Sequence, residues 1–144
     1  MKVTITHSIP ADRRRVFEAL GDPAILARSI PGCESLTATG PDTYEATLKV
    51  GVAGLKGIYK GTASIRDKHS PGSLTLAFEG KGSPGFVRGT AAIVLAEEGE
   101  STRLESTADV QVGGLIAAVG SRLIEAASRK MADDFFRQLS AQLG

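Results

Sequence analysis

From Gly113 to Leu143 apolar side chains recur at helical spacing. Leu115, Ile116, Val119, Leu123, Ile124, Ala126, Ala127 and Met131 fall on one broad face at about 100° per residue, so the pattern predicts one long amphipathic helix. Past Met131 the face turns. Lys130, Asp133, Asp134 and Arg137 take the side that was apolar, while Phe135, Phe136, Leu139 and Leu143 gather on roughly the opposite one. A straight helix on a flat surface would keep its stripe. The rotation therefore predicts either a helix laid diagonally across a curved sheet or two segments with different partners.

Upstream the period is two. Val3, Ile5 and His7 alternate with Lys2, Thr4, Thr6 and Ser8, as in a half-buried strand. Pro10 then opens a short helix, with Asp12 at its positive end and Val16, Phe17 and Leu20 on its apolar side, ending at Gly21. Asp22 and Pro23, an N-cap and a first-turn proline, open a second short helix carrying Ile25, Leu26 and Ile30. Pro31-Gly32 is a corner, and from Cys33 the strand period takes over. Tyr44, Ala46, Leu48 and Val50 share one face; Leu55, Gly57, Tyr59, Gly61, Ala63 and Ile65 follow on the next strand. Turn signals at Pro71-Gly72, Ser83-Pro84-Gly85, Glu97–Glu100 and Gly113-Gly114 separate the rest, which argues for an antiparallel meander. The predicted class is α+β: a curved antiparallel sheet of about seven strands wrapped around a long C-terminal helix, with two short helices after the first strand.

At 144 residues the chain fits one domain, residues 1–144, able to bury roughly 70% of its unfolded surface. The net charge of +1 is mixed along the sequence, so there is no basic field for a phosphate backbone, and nucleic acid is excluded as a partner. A lone cysteine, Cys33, excludes an internal disulfide and fits a reducing compartment. Met1 runs straight into strand pattern without a signal peptide, and no apolar run approaches the roughly 20 residues a bilayer requires. The expectation is a cytoplasmic protein with at most peripheral contact at the inner face of a membrane.

The inner face of the middle strands changes the picture further. It carries Gly57, Gly61, Ala63, Gly80, Gly89 and Ala91 where a closed core would place larger aliphatics, and the chain has no Trp, five Phe and two Tyr. Two readings stand side by side: glycines that let the sheet bend and the helix approach, or an apolar pocket between sheet and helix with the two short helices as a lid. On the pocket reading the lining is Phe17, Leu20, Leu26 and Ile30 from the lid, Tyr59, Phe78 and Val87 from the sheet, and Leu115, Val119, Leu123 and Met131 from the helix.

Candidate chemistry is sparse. His7 points inward with no nucleophile nearby in sequence, and reads as a hydrogen-bonded core histidine; His69 sits beside a turn. Cys33 has no basic neighbour to activate it and reads as a packing residue. Glu97, Glu98 and Glu100 lie at a hairpin tip without metal-ligand spacing. Lys56 and Lys60 form a surface ladder, and Gly80-Lys81-Gly82-Ser83 lacks the following helix of a phosphate loop. Neither a catalytic residue nor a metal ligand is assigned.

Several segments carry a family likeness: Ile30-Pro31-Gly32-Cys33-Glu34-Ser35-Leu36, Lys56-Gly57-Ile58-Tyr59-Lys60-Gly61, Val112-Gly113-Gly114, and Gly120-Ser121-Arg122-Leu123-Ile124 with Phe135-Phe136 beyond. In these, over essentially the whole length, the chain resembles the CoxG family of carbon monoxide dehydrogenase subunits, within the START-like, or SRPBCC, helix-grip superfamily. The resemblance implies a non-catalytic accessory protein of a molybdenum-containing CO dehydrogenase or related hydroxylase, holding a quinone- or lipid-like molecule and aiding recruitment to the membrane or assembly. Longer members carry a further C-terminal segment for membrane attachment; ending at Gly144, this chain is expected to lack direct anchoring of that kind. The resemblance also gives Pro31-Gly32 the role of a corner, Gly113-Gly114 a sharp strand-to-helix change, Gly120 a close approach of the helix, and Arg122 an ion pair with Glu34. Two alternatives remain: an assembly factor working through Phe135, Phe136 and Leu139 at its surface, and a superfamily cyclase or hydrolase using His7.

Overall fold

The computed structural model describes residues 1–143. Strand β1 (Lys2–Ile9) is followed by helices α1 (Arg13–Leu20) and α2 (Pro23–Ser29), then by β2 (Cys33–Gly40), β3 (Thr43–Val50), β4 (Gly57–His69), β5 (Ser73–Gly82), β6 (Gly85–Glu98) and β7 (Ser101–Gly113). A 3-10 segment (Gly114–Val119) leads into the long helix α3 (Ser121–Leu143). The seven strands form one antiparallel sheet in the order β1-β7-β6-β5-β4-β3-β2. Successive hairpins build the meander, and β1 closes it by pairing with the last strand, Val3 opposite Ala108 and Ile5 opposite Ser106. Hairpin turns at 41–42, 71–72 and 99–100 share one end of the molecule. The 51–56 loop, the Ser83-Pro84 turn and the 3-10 segment share the other.

Local chemistry fixes the helix starts. Asp12 caps α1, its Oδ1 accepting from the Arg15 N–H at 3.0 Å, so the helix begins at Arg13; Pro10 precedes it rather than occupying its first turn. Asp22 caps α2 in the same way through the Ala24 N–H at 2.9 Å, with Pro23 in the first turn. Each cap satisfies a donor that the helix leaves unpaired.

The predicted single helix from Gly113 is corrected. Gly113 still belongs to β7, Gly114 turns the chain at φ 79°, and residues 114–119 wind as a 3-10 helix before Gly120, at φ 97°, breaks the run. At three residues per turn the phase of the apolar stripe is lost. Ile116 turns inward, its N–H donating to Pro84 O at 2.8 Å, while Leu115 turns outward. Nothing lies within 4 Å of where a Gly120 side chain would begin, so this glycine serves the backbone turn and not a close approach. Within α3 the rotation is real. Ala127, Met131, Phe135, Leu139 and Leu143 succeed one another every fourth residue, a contact line that drifts about 40° per step and crosses the concave face diagonally.

Two buried clusters result. At the hairpin end, Val16, Leu20 and Leu26 pack with Ile65, Leu74 and Leu95 of the sheet and with Phe136, Leu139 and Leu143 of α3. At the other end Val50, Leu55, Tyr59, Ile116 and Ala127 form a smaller one. α2 is fastened to the end of α3 by the Gln142 Nε2 donating to Ser29 Oγ at 2.8 Å, and Ser29 in turn donates to Ile25 O at 2.7 Å.

Candidate ligand-binding face

Antiparallel pairing keeps partner residues on one face, so the register turns the concave surface into rows running across the strands. One row reads Ala46, Gly61, Gly80, Val87 and Val112. Its neighbour reads Tyr44, Ala63, Phe78, Gly89 and Val110. Ala46, Gly61, Ala63, Phe78, Gly80 and Gly89 are half-buried and belong to neither cluster. Small residues thus occupy the middle of the concave face, between two well-packed ends, beneath α3.

The glycines divide by role. A side chain at Gly61 would run into the carbonyl oxygen of Glu79 on the neighbouring strand, so this glycine lets the sheet bend there. At Gly80 the nearest atom to an added Cβ is Tyr59 Cβ at 3.6 Å, ordinary van der Waals contact. Gly80 therefore leaves space that a side chain would fill.

The residues expected to line a pocket separate into three groups. Phe17, Leu20 and Leu26 are buried in the hairpin-end cluster, with Ile30 half-buried against it. Tyr59 is buried and Val87 and Met131 half-buried in the second cluster, while Phe78 stands on the small-residue rows between the two. The third group is a correction: Leu115, Val119 and Leu123 are 75%, 42% and 40% exposed and are not brought into the enclosed face. Their phase was reset by the 3-10 turn and the break at Gly120. Ala46, Leu48 and Val112 were not assigned to the lining; alternation puts Ala46 and Leu48 on one strand face, but only the cross-strand register sets them beside Gly61 and Tyr59, and Val112 beside Val87. An open groove of about 530 Å³ lies where β7 outruns β1, between Val110 and Val112 on the strand and Ala117, Ser121 and Ile124 on the helical side, with Met1 and Phe86 at its edge. It meets the end of the Gly80-Val87-Val112 row.

Tyr59 closes this end of the face, its hydroxyl donating to Leu55 O at 2.7 Å, and burial pushes its pKa up, so the group stays a neutral donor. His7 Nε2 lies 3.5 Å from Asp133 Oδ1, with its ring against Phe136 at 5.7 Å. His69 is exposed. Phe136 and Leu139 are buried and Phe135 half-buried, which takes the proposed surface cluster off the surface: the drift of α3 carries it into the core. Arg122 and Glu34 are both exposed and make no ion pair with one another. Among the described residues no group of three His, Cys, Asp or Glu side chains could hold a metal ion, and no helix is long and apolar enough to cross a membrane.

Cys33 is half-buried, and its thiol donates to Ser35 O at 3.4 Å. Desolvation raises its pKa above the ordinary thiol value, outweighing that hydrogen bond. Alkylation by iodoacetamide at neutral pH is therefore expected to run several-fold slower than for a free thiol and to accelerate only as the pH rises into the alkaline range. A rate at neutral pH equal to that of glutathione would contradict this environment.

Comparison with known proteins places the arrangement. The sequence model of the carbon monoxide dehydrogenase CoxG subunits matches residues 6–144. No curated protein matches the chain. Among solved structures, a conserved protein from Geobacillus kaustophilus is 32% identical with a TM-score of 0.94, covering 99% of this chain and 95% of that one. A START superfamily protein from Mycobacterium smegmatis shares the fold at 12% identity and a TM-score of 0.73, over 99% of this chain and 96% of that one. An aromatase/cyclase from a Streptomyces species does so at 18% identity and 0.73, over 99% and 93%.

Proposed function

The chain belongs to the CoxG family of carbon monoxide dehydrogenase subunits, and from that premise we propose that it is a non-catalytic accessory protein of a molybdenum-containing CO dehydrogenase or related hydroxylase. Its part is to hold a quinone- or lipid-like molecule on the concave face. The observation that carries this reading is the half-buried belt of Ala46, Gly61, Ala63, Phe78, Gly80 and Gly89 between two buried apolar clusters. An apolar, concave, mostly preformed surface suits a planar hydrophobic ring, which gains by leaving water and asks for few polar contacts. The Tyr59 hydroxyl is already committed to Leu55 O, so the face selects by shape and apolar contact. The groove at the exposed end of β7 supplies an approach.

The non-catalytic reading draws support from His7. Its imidazole stands against Asp133 and Phe136, beside the hairpin-end cluster, and away from the Gly80 rows where a ligand would rest.

The test is cavity filling. Titration with a soluble menaquinone or ubiquinone analogue, followed by intrinsic tyrosine fluorescence or calorimetry, is expected to saturate with the native chain. In Gly80→Leu the affinity should fall by roughly tenfold or more, about 1.4 kcal/mol, while the circular dichroism stays unchanged. Unaltered affinity in Gly80→Leu, or no titratable quinone and no lipid extracted from protein purified from its host, would sink the reading.

A further inference from the structure

An open sheet ends in two unpaired strands, and this fold finishes them differently. On β1 the Val110 N–H donates to Met1 O at 2.8 Å, so the odd-numbered residues bond to β7 while Lys2, Thr4, Thr6 and Ser8 turn their backbone groups outward. That edge is covered. α3 runs beside it, Arg129 Nη1 donates to Thr4 O at 3.1 Å, and His7 meets Asp133 of the helix. β2 is different. The Lys49 N–H donates to Gly32 O at 2.8 Å, which sets the ladder with β3: Ser35 and Thr37 bond inward, opposite Thr47 and Glu45, while Leu36 and Ala38 turn their N–H and C=O groups outward. Among the described residues no hydrogen bond from outside the sheet reaches the backbone of Leu36 or Ala38. Ser35, Thr37 and Ala38 are exposed and Leu36 is half-buried. The stretch Cys33–Gly40 holds no Lys, Arg or Pro and a single charge, Glu34, so it lacks the residues that ordinarily keep an edge from pairing. Bulges at Cys33/Ser35 and Ala38/Gly40 confine its regular run to Ser35–Ala38.

This run is complementary to itself. In antiparallel pairing about Thr37, Leu36 stands opposite the second copy's Ala38, and Ala38 opposite its Leu36, each pair exchanging both N–H···O bonds. Thr37 meets its counterpart on the outer face, while Leu36 and Ala38 prolong the concave rows of Ala46 and Tyr44. Glu34 falls opposite Gly40 of the other copy, so no like charges oppose one another. Pairing about Leu36 instead would place Ala38 against the bulged Glu34 and lose bonds. We infer that β2 is a homodimer edge, joining two copies of this chain across a two-fold axis into one continuous sheet. The covered β1 edge stops growth at two. With so few backbone bonds the contact is short, and the dimer is a weak one that forms at high protein concentration. It rests on the edge alone, independently of what the concave face holds.

Sedimentation equilibrium of the full chain over a rising concentration series tests it. The weight-average mass is expected to climb from one chain towards two. Thr37→Lys and Thr37→Glu each set like charges face to face at the axis and should raise the dissociation constant roughly tenfold or more, while an equimolar mixture of the two should associate again as a heterodimer. Ala38→Pro deletes an outward N–H that β3 does not use, and should weaken the dimer by roughly the same factor. Both positions are exposed, so circular dichroism should stay native in all three variants. A mass that stays at one chain throughout, association indifferent to Thr37→Lys and Ala38→Pro, or a mixture of the charged variants that remains monomeric would each overturn the assignment.

Discussion

Leu139→Ala is expected to destabilise the protein by about 2–5 kcal/mol. Leu139 has no exposed surface and lies where α3 meets the lid helices and the hairpin end of the sheet. Truncation there removes transfer free energy and leaves a hole, and the surroundings have little freedom to close it. α2 is tied to α3 through Gln142 and Ser29, and the sheet behind is held by seven paired strands. Urea unfolding should show a lower midpoint with an unchanged slope. A loss below about 1 kcal/mol would mean that the cluster collapses around the gap and that α3 is held chiefly elsewhere. Because Leu139 lies in the other cluster from Tyr59, quinone affinity of the folded protein should stay within about threefold of the native value.

Gly32→Ala is expected to cost on the order of 3 kcal/mol or more, since two penalties coincide. Gly32 sits at φ 74°, where a Cβ costs roughly 1–2 kcal/mol. A side chain there would also run into the carbonyl oxygen of Lys49, and Gly32 O accepts from the Lys49 N–H at 2.8 Å. Relieving the clash means parting these backbones and losing that bond. Gly40→Ala is the control, because nothing lies within 4 Å of its Cβ and its backbone is not left-handed; it should fall within about 0.5 kcal/mol of native. Equal stability of the two variants would remove the Pro31-Gly32 corner from the list of fixed points in the fold.

The order of elements was legible because each left a periodic or capping signal. Alternation marked the strands, Asp12 and Asp22 marked the helix starts, and Pro31-Gly32 marked the corner. The clearest misreading arose where such signals overlap. Leu115, Ile116 and Val119 fit an α-helical stripe running on to Met131, and a 3-10 turn of six residues has no pattern long enough to betray itself. Its cost was specific: three lining residues were assigned to an interior from which they face away. The alternative that made Phe135, Phe136 and Leu139 a partner surface gives way to packing at the end of the sheet, since the drifting contact line of α3 carries them into the core.

Composition and period by themselves determined a seven-strand meander with a C-terminal helix, and a deficit of volume along the middle strands. Those properties are local, set by which residues alternate and which turn. Which small residues stand side by side was decided only by pairing, as Ala46, Gly61 and Gly80 come together from three strands through the register. So was the division between Gly61, where a neighbour's carbonyl forbids a side chain, and Gly80, where there is room.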